Sequence, residues 1–271
     1  MTPTVIITGA SQGIGKATAL LFAQKGYDIV LAARSPERLE AAAAEIRNLG
    51  RKALAIPTDV TNVEQVNALV NKALDFYSNI DVLVNNAGIC LTGPIENTSL
   101  NDWRQMMDTN FWAYLYAIQA LLPHFLQRGA GTIVNVGSFG GKMPLPYMTA
   151  YCTSKYAVTG LTDSLRLELE PKGIHVCAVQ PSVTKSDFME RAQFRGQDEK
   201  AAQEYRQQMS NLLATSMASQ PQDVAQAIWD VVKHQKAEVV VGSGAILSTA
   251  HRLFPGLMQW VMAKQIKSPK S

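Results

Sequence analysis

Short uninterrupted apolar runs alternate along this sequence with longer stretches of helical periodicity, and no other feature restricts the fold so strongly. Val5-Ile6-Ile7 precedes apolar residues at helical spacing over 14–25, and Ile29-Val30-Leu31 precedes a second helical stretch over 36–49. A strand at 53–56 and a helix at 63–76 follow, then Val82-Leu83-Val84 and a long helical pattern over 100–126. Next come a strand at 132–136, a helix at 151–170 and a strand at 176–179, with 239–241 as the last candidate strand. Runs without polar alternation read as strands buried on both faces, and strand–helix alternation puts helices on each side of a parallel sheet. The expectation is an α/β chain, a single doubly wound domain with a central parallel β-sheet flanked by helices. Local signals agree: Ser35 suits an N-cap, Pro36 the first helical position and Gly50 the residue after a helix end. With 47% hydrophobic and 17% charged residues in a chain of 271, a disordered chain is excluded. No Pro/Gly/Ser-rich linker or internal repeat divides the chain.

Doubly wound sheets bind ligands beyond the carboxyl ends of their strands, so the residues just after each strand carry the functional argument. After the first strand comes Thr8-Gly9-Ala10-Ser11-Gln12-Gly13-Ile14-Gly15. Glycines there permit a tight turn and close backbone approach to a pyrophosphate, and the helix N-terminus behind them offers free N–H groups and a positive dipole end. The alternative is an ordinary glycine-rich turn. After the second strand, where a carboxylate would take the ribose hydroxyls of NAD, stands Ala33, followed by Arg34. A guanidinium pairs with a 2′-phosphate through charge-assisted bonds; an exposed arginine at a helix start is the bland alternative. Asp59-Val60 after the third strand suits an adenine, or simply makes a turn. Asn85-Asn86-Ala87-Gly88 after the fourth can tie strand-end loops together and let backbone approach a ligand, or be a polar turn.

Ser138 follows the fifth strand, and Tyr151 and Lys155 stand four apart at the start of a helix, on one face. A lysine beside a tyrosine is expected to lower the phenol's pKa from ~10, so that it exchanges a proton near neutral pH. In isolation such a pair is ordinary helix decoration; the company of the other strand-end motifs changes its meaning.

Charge and composition remove several other functions. Lys plus Arg is 25 and Asp plus Glu 22, a net +3 that gives no reason to expect nucleic acid. Cys90, Cys152 and Cys177 are an odd, dispersed set, which points to a reducing, cytoplasmic setting rather than a disulfide framework. The histidines at 124, 175, 234 and 251 are scattered, so no metal is expected. The first residues lack the basic and apolar regions of a signal peptide, and no apolar run approaches the ~18 residues of a membrane span.

Taken in order, TGASQGIG at 8–15, DV at 59–60, NNAG at 85–88, Asn110, Ser138 and YCTSK at 151–155 resemble the classical short-chain dehydrogenase/reductase family, over the chain from Thr8 to about Val241. The resemblance implies a Rossmann-type sheet and a nicotinamide cofactor, NADP(H) by the Ala33-Arg34 pattern. It implies Tyr151 as general acid/base, Ser138 as the donor that orients the substrate oxygen, Lys155 as the group that holds the nicotinamide ribose and lowers the tyrosine pKa, and Asn110 as the holder of a water in the proton relay. Cofactor contacts are expected from Thr8, Gly9, Ser11, Gln12, Gly13, Ile14, Gly15, Arg34, Asp59, Val60, Asn86, Ala87, Gly88, Tyr151, Lys155, Pro181, Val183 and Thr184. The family's usual Pro-Gly after the sixth strand is here Pro181-Ser182, a less permissive backbone.

The implied activity is interconversion of a carbonyl and a secondary alcohol on an apolar lipid-, steroid- or aromatic-like substrate. The alternatives are a 3-oxoacyl-thioester reductase and, from another class, a cofactor-binding regulatory protein without turnover. The catalytic domain is expected at 1–243, with a substrate-covering segment at about 184–217 and an extension at 244–271. Ser186-Asp187 can open a helix there, and Phe188, Met189, Phe194, Met209, Leu212, Leu213 and Met217 supply large flexible apolar side chains. Pocket cover, dimerisation and contact with a membrane surface stay open as roles for the extension; its four dispersed cations are weak support for a membrane helix, and helix C-terminal lysines are the bland alternative. A homodimer or homotetramer is expected from the resemblance.

Overall fold

The computed structural model describes residues 2–185, 192–213, 218–242 and 244–266. Its elements begin with β1 (Thr4–Thr8), α1 (Gly13–Gln24), β2 (Asp28–Ala33), α2 (Pro36–Asn48), β3 (Ala53–Pro57), α3 (Val63–Tyr77) and β4 (Val82–Asn85). They continue with β5 (Leu91–Thr92), α4 (Leu100–Met107), α5 (Ala113–Arg128), β6 (Gly131–Val136), α6 (Thr149–Leu169) and β7 (Ile174–Pro181). The last are β8 (Gln193–Phe194), α7 (Glu199–Leu213), α8 (Pro221–His234), β9 (Glu238–Val241), α9 (Gly244–Leu253) and α10 (Pro255–Ile266).

Seven strands form one parallel sheet in the order β3-β2-β1-β4-β6-β7-β9. The strand order reverses at β1, so a crevice opens between the carboxyl ends of β1 and β4, where such sheets bind ligands. Side chains alternate across the sheet as the pleat requires. Val5, Ile7, Ile29 and Leu31 meet Phe22, Leu39, Ile46, Val224 and Ile228 from α1, α2 and α8 on one face. Ile6, Val30, Leu83 and Ile133 meet Val66, Leu69, Ile118, Leu121 and Phe125 from α3 and α5 on the other. This two-sided burial is why the strands read as unbroken apolar runs. The capping signals act as expected: the Ser35 hydroxyl accepts from Arg38 N, and the Asn62 side chain accepts from Gln65 N at 2.8 Å.

One expectation is corrected. The stretch 100–126 is two helices, α4 and α5, joined by a π-helical turn at Asp108–Trp112, so the helix face rotates at the junction. Within the covering segment, β8 pairs with β5 in a second, two-stranded parallel sheet, and α7 follows. Arg195 closes on Asp102 of α4 in a two-point ion pair (2.6 and 3.2 Å), and Asp102 also forms the capping box with Ser99. The expected helix opening at Ser186-Asp187, and Phe188, Met189 and Met217, lie outside the described residues, as do the side chains of Leu212 and Leu213.

Candidate active site

The residues that follow β1, β2, β3, β4, β6 and β7 converge on one cleft of about 870 Å³. Of the predicted site residues, Gly9, Ser11, Gln12, Gly13, Ile14, Arg34, Asp59, Val60, Asn86, Ala87, Gly88, Ser138, Tyr151, Lys155, Pro181, Val183 and Thr184 line it. Thr8, Gly15 and Asn110 stand behind its wall, and each has a structural task there. Thr8 Oγ1 accepts from the backbone N–H groups of Asn86 and Ala87, and Asn86 Nδ2 donates to Thr8 O at 2.9 Å, which stitches the β1 and β4 turns together. A Cβ at Gly15 would lie 2.3 Å from the Gly9 carbonyl oxygen, so α1 can begin this close to β1 only with glycine there.

No side chain caps the first turn of α1, and Gln12 Nε2 is buried without a hydrogen-bond partner. The turn therefore presents uncapped N–H groups and the positive end of a twelve-residue helix to the cleft. Farther along, Arg34 and Arg38 flank the entrance. Arg38, which donates to Gln12 Oε1, was not predicted; its place on the first turn of α2, three residues after the N-cap Ser35, is the signal for it. Glu37, the nearest carboxylate in sequence, accepts instead from the Ser35 hydroxyl at 3.0 Å. Asp59 lines the cleft but spends Oδ1 on a turn, accepting from Thr61 N and Oγ1 at 3.0 and 2.8 Å. An uncapped helix start, two guanidines and a glycine-floored crevice fit a phosphate-bearing dinucleotide.

At the other end lie the hydroxyls. Tyr151 is buried on the first turn of α6 and hydrogen-bonded to Ser138. Ser138 follows β6; its Oγ accepts from Gly140 N at 3.1 Å, and its backbone N–H donates to Gln180 Oε1 at 2.7 Å. Lys155 Nζ donates to Val136 O at 3.1 Å and stands 5.4 Å over the Tyr114 ring, while Tyr114 Oη donates to the same carbonyl at 2.9 Å. Asn110 sits in the π-helical turn: its Oδ1 accepts from Ile89 N at 2.9 Å, and its Nδ2 donates to Ile89 O and Ser154 Oγ at 3.0 and 2.9 Å. Both donors of that amide are thus committed to protein partners.

Burial governs the protonation of this end. It presses the Lys155 ammonium down to about 8 and pushes the Tyr151 phenol well above its ordinary range. The Ser138 hydrogen bond pulls the phenol back down, and the neighbouring thiols Cys90 and Cys152 push it up. The expected lowering of the Tyr151 pKa by Lys155 is therefore corrected: burial raises the phenol, and Lys155 faces a carbonyl and a ring instead. Beyond Tyr151 the wall turns apolar, with Cys90, Leu145, Pro146, Met148 and Met209. Cys90 was not predicted as a site residue; burial raises its thiol to about 12, so it acts as an apolar wall.

Residues 3–197 match the family model of the short chain dehydrogenases. The ketoacyl reductase HetN of Nostoc is 33% identical over 252 residues, spanning 92% of this chain and 82% of HetN. A short-chain dehydrogenase/reductase from Burkholderia phymatum, solved with NAD, superposes with a TM-score of 0.84 at 26% identity, covering 92% of each chain. A short-chain dehydrogenase from Sphingobium yanoikuyae, solved with NADPH, superposes at 0.76 and 29% identity, covering 99% of this chain and 97% of its own.

Proposed function

The chain belongs to the short-chain dehydrogenase family of oxidoreductases, and from that premise we propose that it interconverts an apolar carbonyl compound and its secondary alcohol with NADP(H). The observation that carries this reading is the layout of one cleft: guanidines at one end, a buried tyrosine–serine pair at the other, and apolar walls beyond. Arg34 and Arg38 hold the 2′-phosphate, and Ala33 in place of a carboxylate removes the element that would repel it. The first turn of α1 holds the pyrophosphate. When bound, the cofactor supplies the hydride.

The chain's own residues handle the proton and the geometry. Ser138 Oγ orients the substrate oxygen, and Tyr151 Oη delivers or takes the proton at that oxygen. At neutral pH the phenol is protonated and so carries the proton needed in the reducing direction. Lys155, fixed on Val136 O, would hold the nicotinamide ribose with its remaining donors. Asn110 braces the β4 turn against α6 through Ile89 and Ser154. Cys90, Leu145, Met148 and Met209 admit a bulky apolar ketone and exclude water from the reacting centre.

NADPH and NADH oxidation over ketones of increasing apolar size tests the proposal; the expected profile rises with apolar bulk and favours NADPH. A 3-oxoacyl thioester is the second reading, favoured by the name of the Nostoc relative. Faster turnover of a 3-oxoacyl thioester than of every simple ketone would select it, and cofactor binding with no turnover of either class would contradict both.

A further inference from the structure

The strongest surface feature outside the cleft is the C-terminal pair of helices. Leu253, Phe254, Leu257 and Trp260 are 65%, 61%, 58% and 56% exposed, and Val261 is exposed beside them. Leu257, Trp260, Val261 and Lys264 fall at i, i+3, i+4 and i+7, one face of α10. The Lys264 ammonium lies 3.8 Å over the Trp260 ring, so its stem follows the apolar face while its charge stays at the surface. Charge is divided as unevenly as hydrophobicity. Glu238 is the last acidic residue; Arg252, Lys264, Lys267 and Lys270 follow it. Of 25 Lys and Arg and 22 Asp and Glu, residues 1–238 thus hold 21 and 22, so the whole positive excess lies after Glu238.

We propose that α9 and α10 form a docking surface for an anionic lipid bilayer, with Leu257 and Trp260 seated among the headgroups and Arg252 and Lys264 on acidic lipid. Exposed apolar side chains with an aromatic anchor, on a segment that carries cations and no carboxylate, are what contact with an acidic lipid surface requires. A symmetric contact with a second copy would bring two such cationic tails together, which charge repulsion opposes. No described helix is long and apolar enough to cross a membrane, so the contact lies on the surface. α9 starts against Phe139 and Ser182, both in the cleft wall.

Co-sedimentation of the full chain with phosphatidylglycerol vesicles and with phosphatidylcholine vesicles tests it. The expected result is binding to the anionic vesicles that falls at least tenfold in Leu257→Glu or Trp260→Glu and weakens with salt, in variants whose NADPH affinity is unchanged. Equal binding to both vesicle types, or none to phosphatidylglycerol at low salt, would overturn it. So would a tail-dependent dimer in which those substitutions dissociate the copies without affecting vesicle binding.

A second, independent observation lies under Ser138. The residue pairing of β6 with β7 ends at Val136; Gly137 N still donates to Val179 O at 2.8 Å, and the next backbone N–H, that of Ser138, is held by a side chain. Gln180, almost fully buried, accepts from Ser138 N at 2.7 Å and donates from Nε2 to Glu238 Oε1 at 2.9 Å, and Glu238 pairs with Lys142 at 2.6 Å. The amide lies so close over Gly137 that a Cβ there would stand 2.1 Å from Gln180 Oε1. We infer that Gln180 is a positioning residue that aims the Ser138 hydroxyl at the substrate oxygen, itself oriented by Glu238. This rests on the proposed role of Ser138.

A double-mutant cycle in kcat separates the two. Gln180→Leu alone is expected to lower kcat roughly tenfold with the KM for cofactor unchanged, and to cost almost nothing further in a Ser138→Ala background. Gln180→Glu combined with Glu238→Gln restores both hydrogen bonds and is expected to recover most of kcat. Equal losses from Gln180→Leu in both backgrounds, or no rescue by the combined exchange, would overturn the inference. A Ser138→Ala variant with full kcat would instead overturn the proposed function.

Discussion

Lys155 shows what one residue of this site costs. Its ammonium is buried, and burial lowers its pKa from 10.5 to about 8. The folded state therefore carries the desolvation penalty in full below about pH 8, loses it progressively as pH rises, and is free of it above 10.5, where the unfolded chain is neutral too. Lys155→Met is expected to be more stable than the parent at pH 7 by up to about 3 kcal/mol, with the difference vanishing above pH 10.5, and to have lost activity. The Val136 carbonyl keeps its bond from Tyr114, so the substitution strands no acceptor. Denaturant titrations at pH 7 and pH 11 measure this; a less stable variant at pH 7 would contradict it. Arg34→Ala is expected to weaken NADPH roughly ten- to a hundredfold while leaving NADH nearly unchanged, with a further loss on adding Arg38→Ala, read by direct titration. Equal weakening of both cofactors would remove the 2′-phosphate assignment. At this scale the sequence was informative: Ser11, Gly13, Arg34, Ser138, Tyr151 and Lys155 all line one cleft. Which way burial shifts Tyr151 was not readable, because desolvation depends on partners such as Cys90 that are distant in sequence.

At the level of elements, the long helices and central strands were legible because each buries a periodic apolar face. The break between α4 and α5 was not, since a π-helical turn keeps the helical spacing on both sides and only rotates the face. Nor were β5 and β8, whose two-residue pairing has no periodicity to read. Their junction is secured by Arg195 on Asp102, whose carboxyl is held below the usual range despite its burial by bonds from Arg195 and Ser99. The two partners are unequal. Arg195→Ala leaves Asp102 with its capping box, so faster hydrogen exchange in β8 and α7 is expected, with a raised KM for substrate and little change in melting temperature. Asp102→Ala also removes the reciprocal half of the capping box, the bonds that Asp102 accepts from Ser99 N and Oγ, and is expected to cost a further ~1 kcal/mol of global stability. Because the pKa of Asp102 is depressed, its contribution is present above the unfolded-state value and is lost as pH falls through the folded one. An Arg195→Ala protein that melts like Asp102→Ala would show the junction to be part of the global fold.

For the whole molecule, the strand order places every strand-end motif along one crevice, which is why weak motifs scattered from Thr8 to Thr184 meet at one cleft. The sequence displays that convergence through its strand–helix alternation. It does not display the exposed apolar face of α10, because a sequence does not reveal which apolar residues lack a neighbour. The central claim is that the two ends of the crevice act together: a cofactor bound along its floor and a proton moved by Tyr151 at its apolar end. Single-turnover reduction of a bulky apolar ketone by bound NADPH, in wild type and Tyr151→Phe, tests this most directly. The account predicts that the variant binds NADPH as tightly as wild type and reduces the ketone at least ~10²-fold more slowly; an undiminished single-turnover rate in Tyr151→Phe would contradict it.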